Sequence, residues 1–391
     1  MLPEFDDTRI AFQYRSDRDL KRAQLLFSAM SSPTVTAAGM ALTQWAIRWR
    51  LPVKGLIRNT IFRQFCGGET MEDAGHTADI LGRYHVGIIL DYGVEGKETE
   101  KEFDRAVPEF IRAIKYAASR EHIPFISVKV TGFARFALLE RLHAGVELTE
   151  AEHGEWQRVR QRVYDICGAA AGYGIMVLID AEDSWIQQPV DTLADDMMAA
   201  FNKTRAVVFN TFQLYRHDRL AYLKASIARA HEGGYIHGAK LVRGAYMEKE
   251  RKRAAEKGYP SPIQPDKAST DRDYDAAVRY CLEQLDSTAL FIGTHNEHSC
   301  MQAAEYISAH GIPADHPRIW FSQLYGMSDN ISFNLAHAGY NVAKYLPYGP
   351  VQDVVPYLMR RAQENTSVKG QTGRELSLIN KELKRRAHST T

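Results

Sequence analysis

The chain has 391 residues, of which 45% are hydrophobic and 25% charged, and its formal net charge is +1. This composition is typical of a soluble globular protein with enough material for a large core in one or two domains. The near-neutral charge argues against nucleic acid as the main partner, because such binding needs a strongly basic surface.

The cysteines, the N-terminal segment and the lack of long apolar runs argue against several further classes of protein. The four cysteines are far apart and form no CxxC motif, which argues against a disulfide framework and a zinc site and fits a reducing compartment. The N-terminal segment MLPEFDDTRIAF lacks the pattern of a signal or transit peptide. No apolar run approaches the ~20 residues that span a bilayer, so we expect no transmembrane segment.

Residues 1–83 are poor in strand patterns and carry three helical ones, DLKRAQLLFSAM, TAAGMALTQWAIRWRLPVKGLIRNTIFRQF and ETMEDAGHTADILGRYH. Their charges are most simply placed on solvated helix faces. We predict an N-terminal helical region, or arm, that carries no chemistry.

From residue 86 onward, short β-branched or aromatic runs alternate with longer helical patterns. Eight such alternations predict a (β/α)8 barrel, and an open doubly wound sheet is the alternative. No GxGxxG motif joins a strand to a helix, as a dinucleotide-binding sheet of that kind would require. The predicted strands cover residues 86–92, 124–131, 175–180, 206–211, 237–243, 288–294, 318–323 and 341–346.

In such a barrel, side chains near the carboxyl ends of the strands face the active site. Lys129, Asp180 and Lys240 stand within or at the end of apolar strands, where a charge is costly unless it meets a partner or ligand. Any one polar residue here could instead cap a helix or satisfy the backbone. The full set is Asp91, Glu95, Lys129, Asp180, Gln213, Lys240, Arg243, Thr294, His295, Asn296, Gln323 and Tyr345.

A helix with the pattern YxxRRxxEN follows the eighth predicted strand. Helical spacing places Tyr357, Arg360, Arg361 and Glu364 along one face, where two guanidinium groups could converge on a small carboxylate. The alternative is an ordinary solvated helix face, because Arg and Glu at these spacings are common there.

Seven segments resemble the flavin-dependent proline dehydrogenases, and they occur in order over about residues 86–366. The two most specific of the seven are SQLYGMSD at 322–329 and KYLPYGPVQDVVPYLMRRAQEN at 344–365. The others are SVK at 127–129, LIDAED at 178–183, TFQ at 211–213, AKLVRGAY at 239–246 and THN at 294–296. Apart from these seven, the segment DYGVEG at 91–96 resembles the monofunctional and mitochondrial branch.

The resemblance implies a distorted (β/α)8 TIM-like barrel over residues 84–370, between the N-terminal helical region and a basic C-terminal tail at 371–391. FAD would lie at the carboxyl ends of the strands. Its contacts would come from Ala181, Gln213, Lys240, Val242, Arg243, Gly244, Thr294, His295 and Asn296. We expect no metal ion, since His295 and His298 lack a carboxylate partner in the sequence.

The resemblance also implies a substrate site. Lys129, Arg360 and Arg361 would bind the proline carboxylate, and Tyr345 and Tyr357 would enclose the ring. Glu364 would orient the arginines, and Glu95 would form a gate with Arg360.

Asp180, Lys240 and Tyr345 would act catalytically. Many bacterial members have arginine where Lys240 stands, and relatives specialised for hydroxyproline tend to have serine in place of Tyr345, so the tyrosine favours proline.

The implied activity is oxidation of L-proline to Δ1-pyrroline-5-carboxylate, with electrons passed from FAD to a membrane quinone. The protein would be cytoplasmic and peripheral to the inner membrane if bacterial, or act at the inner mitochondrial membrane. Two alternatives are a Schiff-base aldolase that uses Lys129 or Lys240, and a non-enzymatic protein that binds small anions.

Overall fold

The computed structural model describes residues 1–32, 34–36, 38–39, 54–92, 98–367 and 371–388. Eight strands form one closed parallel barrel in chain order, which confirms the predicted fold. The strands are β1 (Val86–Tyr92), β2 (Phe125–Val128), β3 (Met176–Ile179), β4 (Val208–Gln213), β5 (His237–Val242), β6 (Thr288–Gly293), β7 (Ile319–Leu324) and β8 (Val342–Tyr348). The largest differences from prediction are in β2, which ends three residues earlier and leaves Lys129 just beyond the strand, and in β4, which lies two residues later and includes Gln213.

The described helices before β1 have 3 to 14 residues, and the α-helices that follow the strands have 8 to 24. None in the described part of the chain has both the length and the apolar character that crossing a bilayer requires. They are α1 (Thr8–Ala11), α2 (Asp17–Met30), α3 (Lys54–Ile57), a π-helix (Arg58–Phe62), α4 (Arg63–Phe65), α5 (Met71–Gly82), α6 (Glu100–Ala118), α7 (Phe136–His143), α8 (Glu150–Tyr173), α9 (Gln187–Phe201), α10 (Arg219–Glu232), α11 (Met247–Lys257), α12 (Lys267–Glu283), α13 (Glu297–Ala309), α14 (Asp329–His337), α15 (Val351–Ser367) and α16 (Gln371–His388).

Residues 94–322 form one of two compact units. Aromatic side chains fill its core below the strand ends: the ring of Phe125 meets the rings of Phe209, Phe291 and Trp320 edge-on at centroid distances of 6.0, 5.1 and 5.0 Å. Such packing makes the interior a solid core instead of a channel. The polar side chains that follow these aromatic residues along the strands therefore lie against a closely packed core.

The other unit comprises residues 1–93 and 323–391. Its core joins the N-terminal helices to α15 and α16, which follow β8. This packing buries the apolar face of the helical arm, whose partners the sequence did not identify. Central members of this core are Leu20, Phe27, Phe65, Val354, Leu358 and Leu378.

A buried charged cluster also lies in this second unit. The Lys344 ammonium on β8 is wholly buried, and its Nζ lies 2.8 Å from Oδ1 of Asp329 at the start of α14. The Tyr14 hydroxyl and the Arg15 Nε donate to Oδ2 of Asp329 at 2.8 and 3.0 Å. Because these charges are paired and hydrogen-bonded, the cluster fixes β8, α14 and the N-terminal segment to one another.

Glu375 on α16 belongs to the same cluster. It is buried, and its Oε1 accepts a hydrogen bond from the Ser328 backbone N–H at the start of α14. Burial, together with the nearby Asp329 charge, raises the pKa of Glu375 to about 7.

This pKa predicts how stability depends on pH. The folded protein binds the Glu375 proton more tightly than the unfolded chain, in which the pKa has its ordinary value of 4.5, so stability falls as pH rises from 4.5 to about 7. Glu375→Gln resembles the protonated acid at every pH. Between about pH 5 and about pH 8 the wild type should therefore lose roughly 2 kcal/mol more unfolding free energy than E375Q, as measured by urea denaturation. Parallel pH curves for the two proteins would contradict this.

Candidate active site

In the unit of residues 94–322, the candidate residues lie at the carboxyl ends of successive strands. Lys129 directly follows β2, and Asp180 directly follows β3. Gln213 ends β4, Lys240 lies near the end of β5, and Thr294 directly follows β6. This is the end of a (β/α)8 barrel at which active sites are built.

A buried ion pair is the central feature of this group. Lys240 Nζ lies 2.6 Å from Asp180 Oδ1, and both side chains are almost inaccessible to solvent. The Ser127 hydroxyl donates to the other carboxylate oxygen at 2.9 Å. The charges thus satisfy each other away from water. Ser127 was not among the predicted site residues, although it precedes Lys129 by two positions and residues two apart on a strand share a face.

The segment after Asp180 is held by further hydrogen bonds. The Thr131 hydroxyl lies 2.9 and 2.7 Å from the two carboxylate oxygens of Glu182. The Gln213 side-chain amide donates to the Glu182 backbone oxygen at 2.7 Å. The amide nitrogen of Gln213 therefore fixes the loop after β3, a role that the sequence did not suggest.

Arg243, the residue after β5, makes contacts with three elements. Its guanidinium lies 2.7 Å from Asp271 Oδ1 and donates to the hydroxyls of Thr294 and Ser299 at 2.7 and 3.0 Å. It also lies over the Tyr274 ring at 4.3 Å. Because planar donors in a fixed fork restrain their partners, Arg243 orients Thr294 at the end of β6.

Two other candidate residues shape the backbone. Asn296 is the N-cap of α13, since its side chain accepts hydrogen bonds from the N–H groups of His298 and Ser299. Gly244 has a φ of +130°, and a Cβ there would lie 2.5 Å from the Tyr215 ring. Only glycine fits this position without strain, because its φ is positive and a Cβ would collide with Tyr215.

In the other unit, Tyr345 lies on β8. Its neighbour Lys344 contacts α14, an outer helix, so strand alternation turns Tyr345 toward the barrel interior. It pairs with Ile89 in the parallel register of β1 and β8. Tyr345 therefore lies on the inner face of β8, as expected for a residue that would contact a substrate inside the barrel.

The arginine pair lies on α15. Arg361 is only 7% exposed, and its guanidinium carbon lies 5.2 Å from the centroid of the Tyr357 ring, which is 9% exposed. Arg360 is half-buried. An arginine this deeply buried on an aromatic ring does not fit the alternative of an ordinary solvated helix face.

The side chains of two predicted site residues, Glu95 and Glu364, are not among those that the structure describes. Glu95 is outside the described residues, and for Glu364 only the helical backbone is described. Their predicted roles remain predictions.

Comparison with known proteins identifies close likenesses. Residues 74–374 match the family model described as proline dehydrogenase. The chain is 37% identical over 323 residues to the carbapenem antibiotics biosynthesis protein CarD of Pectobacterium carotovorum, with 82% of this chain and 83% of that protein covered. It is 41% identical over 242 residues to human mitochondrial proline dehydrogenase 1, with 61% of this chain covered and less than half, 40%, of the human protein.

A solved structure shows the same fold. Proline utilization A from Bdellovibrio bacteriovorus, inactivated by N-propargylglycine, superposes with a TM-score of 0.72 at 20% identity and covers 96% of this chain. This chain spans 38% of that protein.

Proposed function

This chain belongs to the proline dehydrogenase family, and we propose that it oxidises L-proline to Δ1-pyrroline-5-carboxylate. The observation that carries the proposal is the family match, which extends over residues 74–374. The positions of the candidate residues at the carboxyl ends of the strands support it.

FAD is the proposed cofactor, and the residues present fit it chemically. Lys240, Arg243 and Thr294 supply cationic and hydroxyl groups suited to an anionic dinucleotide, and the backbone at Gly244 is exposed beside them. The chemistry that FAD would supply when bound is acceptance of a hydride from carbon five of the proline ring. The residues proposed to hold it are Ala181, Gln213, Lys240, Val242, Arg243, Gly244, Thr294, His295 and Asn296.

For the substrate, we propose that Lys129, Arg360 and Arg361 bind the carboxylate and that Tyr345 and Tyr357 enclose the ring. The burial of Arg361 supports this, because a buried guanidinium is a strong bidentate partner for a carboxylate. Binding the carboxylate fixes which ring carbon faces the cofactor, so these residues accelerate the reaction by orientation.

We propose that Asp180 orients the ammonium group of Lys240, which lies near the end of β5. Oδ1 of Asp180 lies 2.6 Å from Nζ of Lys240, and this ion pair fixes the position of the ammonium group inside the barrel. An ammonium engaged in this ion pair has no lone pair to attack a carbonyl, which disfavours an aldolase that uses Lys240.

A membrane quinone is the proposed electron acceptor. The proposed location is the cytoplasmic side of a bacterial inner membrane, or the inner mitochondrial membrane, with peripheral contact. Several relatives are named as mitochondrial, which supports the second location.

The activity is tested by adding L-proline anaerobically to protein saturated with FAD. We predict loss of the oxidised flavin absorbance at about 450 nm. D-Proline is the matched control and should act far more slowly, because its carboxylate and reacting carbon cannot both be aligned. A bound flavin that L-proline leaves oxidised would contradict the activity, and borohydride trapping of a carbonyl substrate on a lysine would favour the aldolase.

Tyr345 is predicted to discriminate against a ring hydroxyl by its bulk. Tyr345→Ser should lower the preference for proline over hydroxyproline, measured as the ratio of kcat/KM values, by roughly tenfold. Tyr348 lies three residues further along β8 on its opposite face, so Tyr348→Ser is the control, with the ratio unchanged. An unchanged ratio in Y345S would exclude Tyr345 as the discriminating residue.

A further inference from the structure

Glu250 is a buried carboxylate to which neither the motifs nor the proposed function gives a role. It lies on α11, where Lys249, Arg251 and Lys252 are exposed, yet Glu250 is wholly buried. From sequence it looks like one more charge on a solvated helix. A carboxylate in this position needs specific partners, because burying an unpaired charge is costly.

Those partners belong to a single residue, Ser184. The Ser184 backbone N–H donates to Oε1 of Glu250, and its hydroxyl donates to Oε2, both at 2.6 Å. Both carboxylate oxygens are thus engaged by short hydrogen bonds, which are strong when the acceptor is charged. Burial raises the pKa of Glu250, and the two Ser184 donors act against this rise.

Ser184 ends the loop that begins at Asp180. The Asp180 end is held by Lys240 and Ser127, and the middle is held through Glu182 by Gln213. Glu250 is the buried anchor of the other end. The loop therefore has a fixed path, and its second residue, Ala181, is among the residues proposed to contact FAD.

Helix α11, which carries Glu250, continues from the segment after β5. That segment contains Val242 and Gly244, also proposed to contact FAD, and the helix begins three residues after Gly244. One carboxylate consequently joins the end of the loop 180–184 to the helix that directly follows the segment 242–246, and both of these segments would flank the cofactor. Lys249 adds a second link to Asp183 at 2.6 Å, but its side chain is 57% exposed, so this link is weaker.

From this arrangement we infer that Glu250 is a positioning residue for the flavin: it holds the loop after β3 and the segment after β5 at the separation that the cofactor requires. The inference rests on the proposed function, because it takes FAD as the group between these segments. Glu250 itself need not touch the cofactor.

The test compares Glu250→Gln, Glu250→Ala and Ser184→Ala with the wild type. FAD is titrated into each apoprotein to obtain Kd, the visible spectrum of the bound flavin is recorded, and circular dichroism verifies the fold. E250A should weaken FAD binding roughly tenfold to hundredfold, since it removes two hydrogen bonds to a charged group. E250Q and S184A, which each keep part of the contact, should weaken it less and shift the flavin spectrum in the same direction. Glu256→Gln, on the same helix and exposed, is the control and should bind FAD as the wild type does.

The results distinguish failure of the proposed function from failure of the positioning role of Glu250. Wild-type protein that binds no FAD would overturn the proposed function. Wild-type binding of FAD together with the wild-type Kd and spectrum in folded E250Q and S184A would overturn only the positioning role of Glu250. If E250A does not fold, the other two variants still decide the question, because each retains a hydrogen bond between the same residues.

Discussion

The ion pair between Asp180 and Lys240 is the interaction on which the arrangement of the strand ends in the 94–322 unit depends. Two charges in a barrel interior are tolerated because they lie 2.6 Å apart and Ser127 donates to the remaining carboxylate oxygen. Removing either partner would leave an uncompensated buried charge, at a cost of about 3 to 5 kcal/mol. The pair therefore fixes the start of the loop after β3, and Glu250 anchors the end of that loop from α11.

The unit of residues 1–93 and 323–391 uses the same physical device on the outer face of its strand. Lys344 points outward to Asp329, whose other oxygen is bound by Tyr14 and Arg15 from the N-terminal segment. Because side chains alternate along β8, the outward lysine sets the inward direction of Tyr345. Tyr14 and Arg15, which lie between the first two helices, thus help to determine how β8 and its Tyr345 are held.

Much of the fold could be predicted because its signals are local. All eight strands were found from short apolar runs between helical patterns, and the barrel followed from their alternation. The partners of the buried charges could not be found in this way. Arg15 and Asp329 are 314 residues apart, Ser184 and Glu250 are 66 apart, and on a helix a buried glutamate has the same pattern as a solvated one. Sequence therefore indicated where charges occur, while only the three-dimensional contacts separate those that would bind ligands from those that hold the structure.

The proposed substrate site depends most directly on the buried guanidinium of Arg361, which would bind the carboxylate of proline. The most direct test compares kcat/KM for L-proline and L-prolinamide, which lacks the carboxylate charge, in the wild type and in Arg361→Met. The wild type should prefer proline strongly, and R361M should lose roughly tenfold to hundredfold of that preference, since an ion pair with a carboxylate is lost only for proline. An equal decrease for both substrates would contradict the claim, because it would assign Arg361 to the fold and not to the carboxylate.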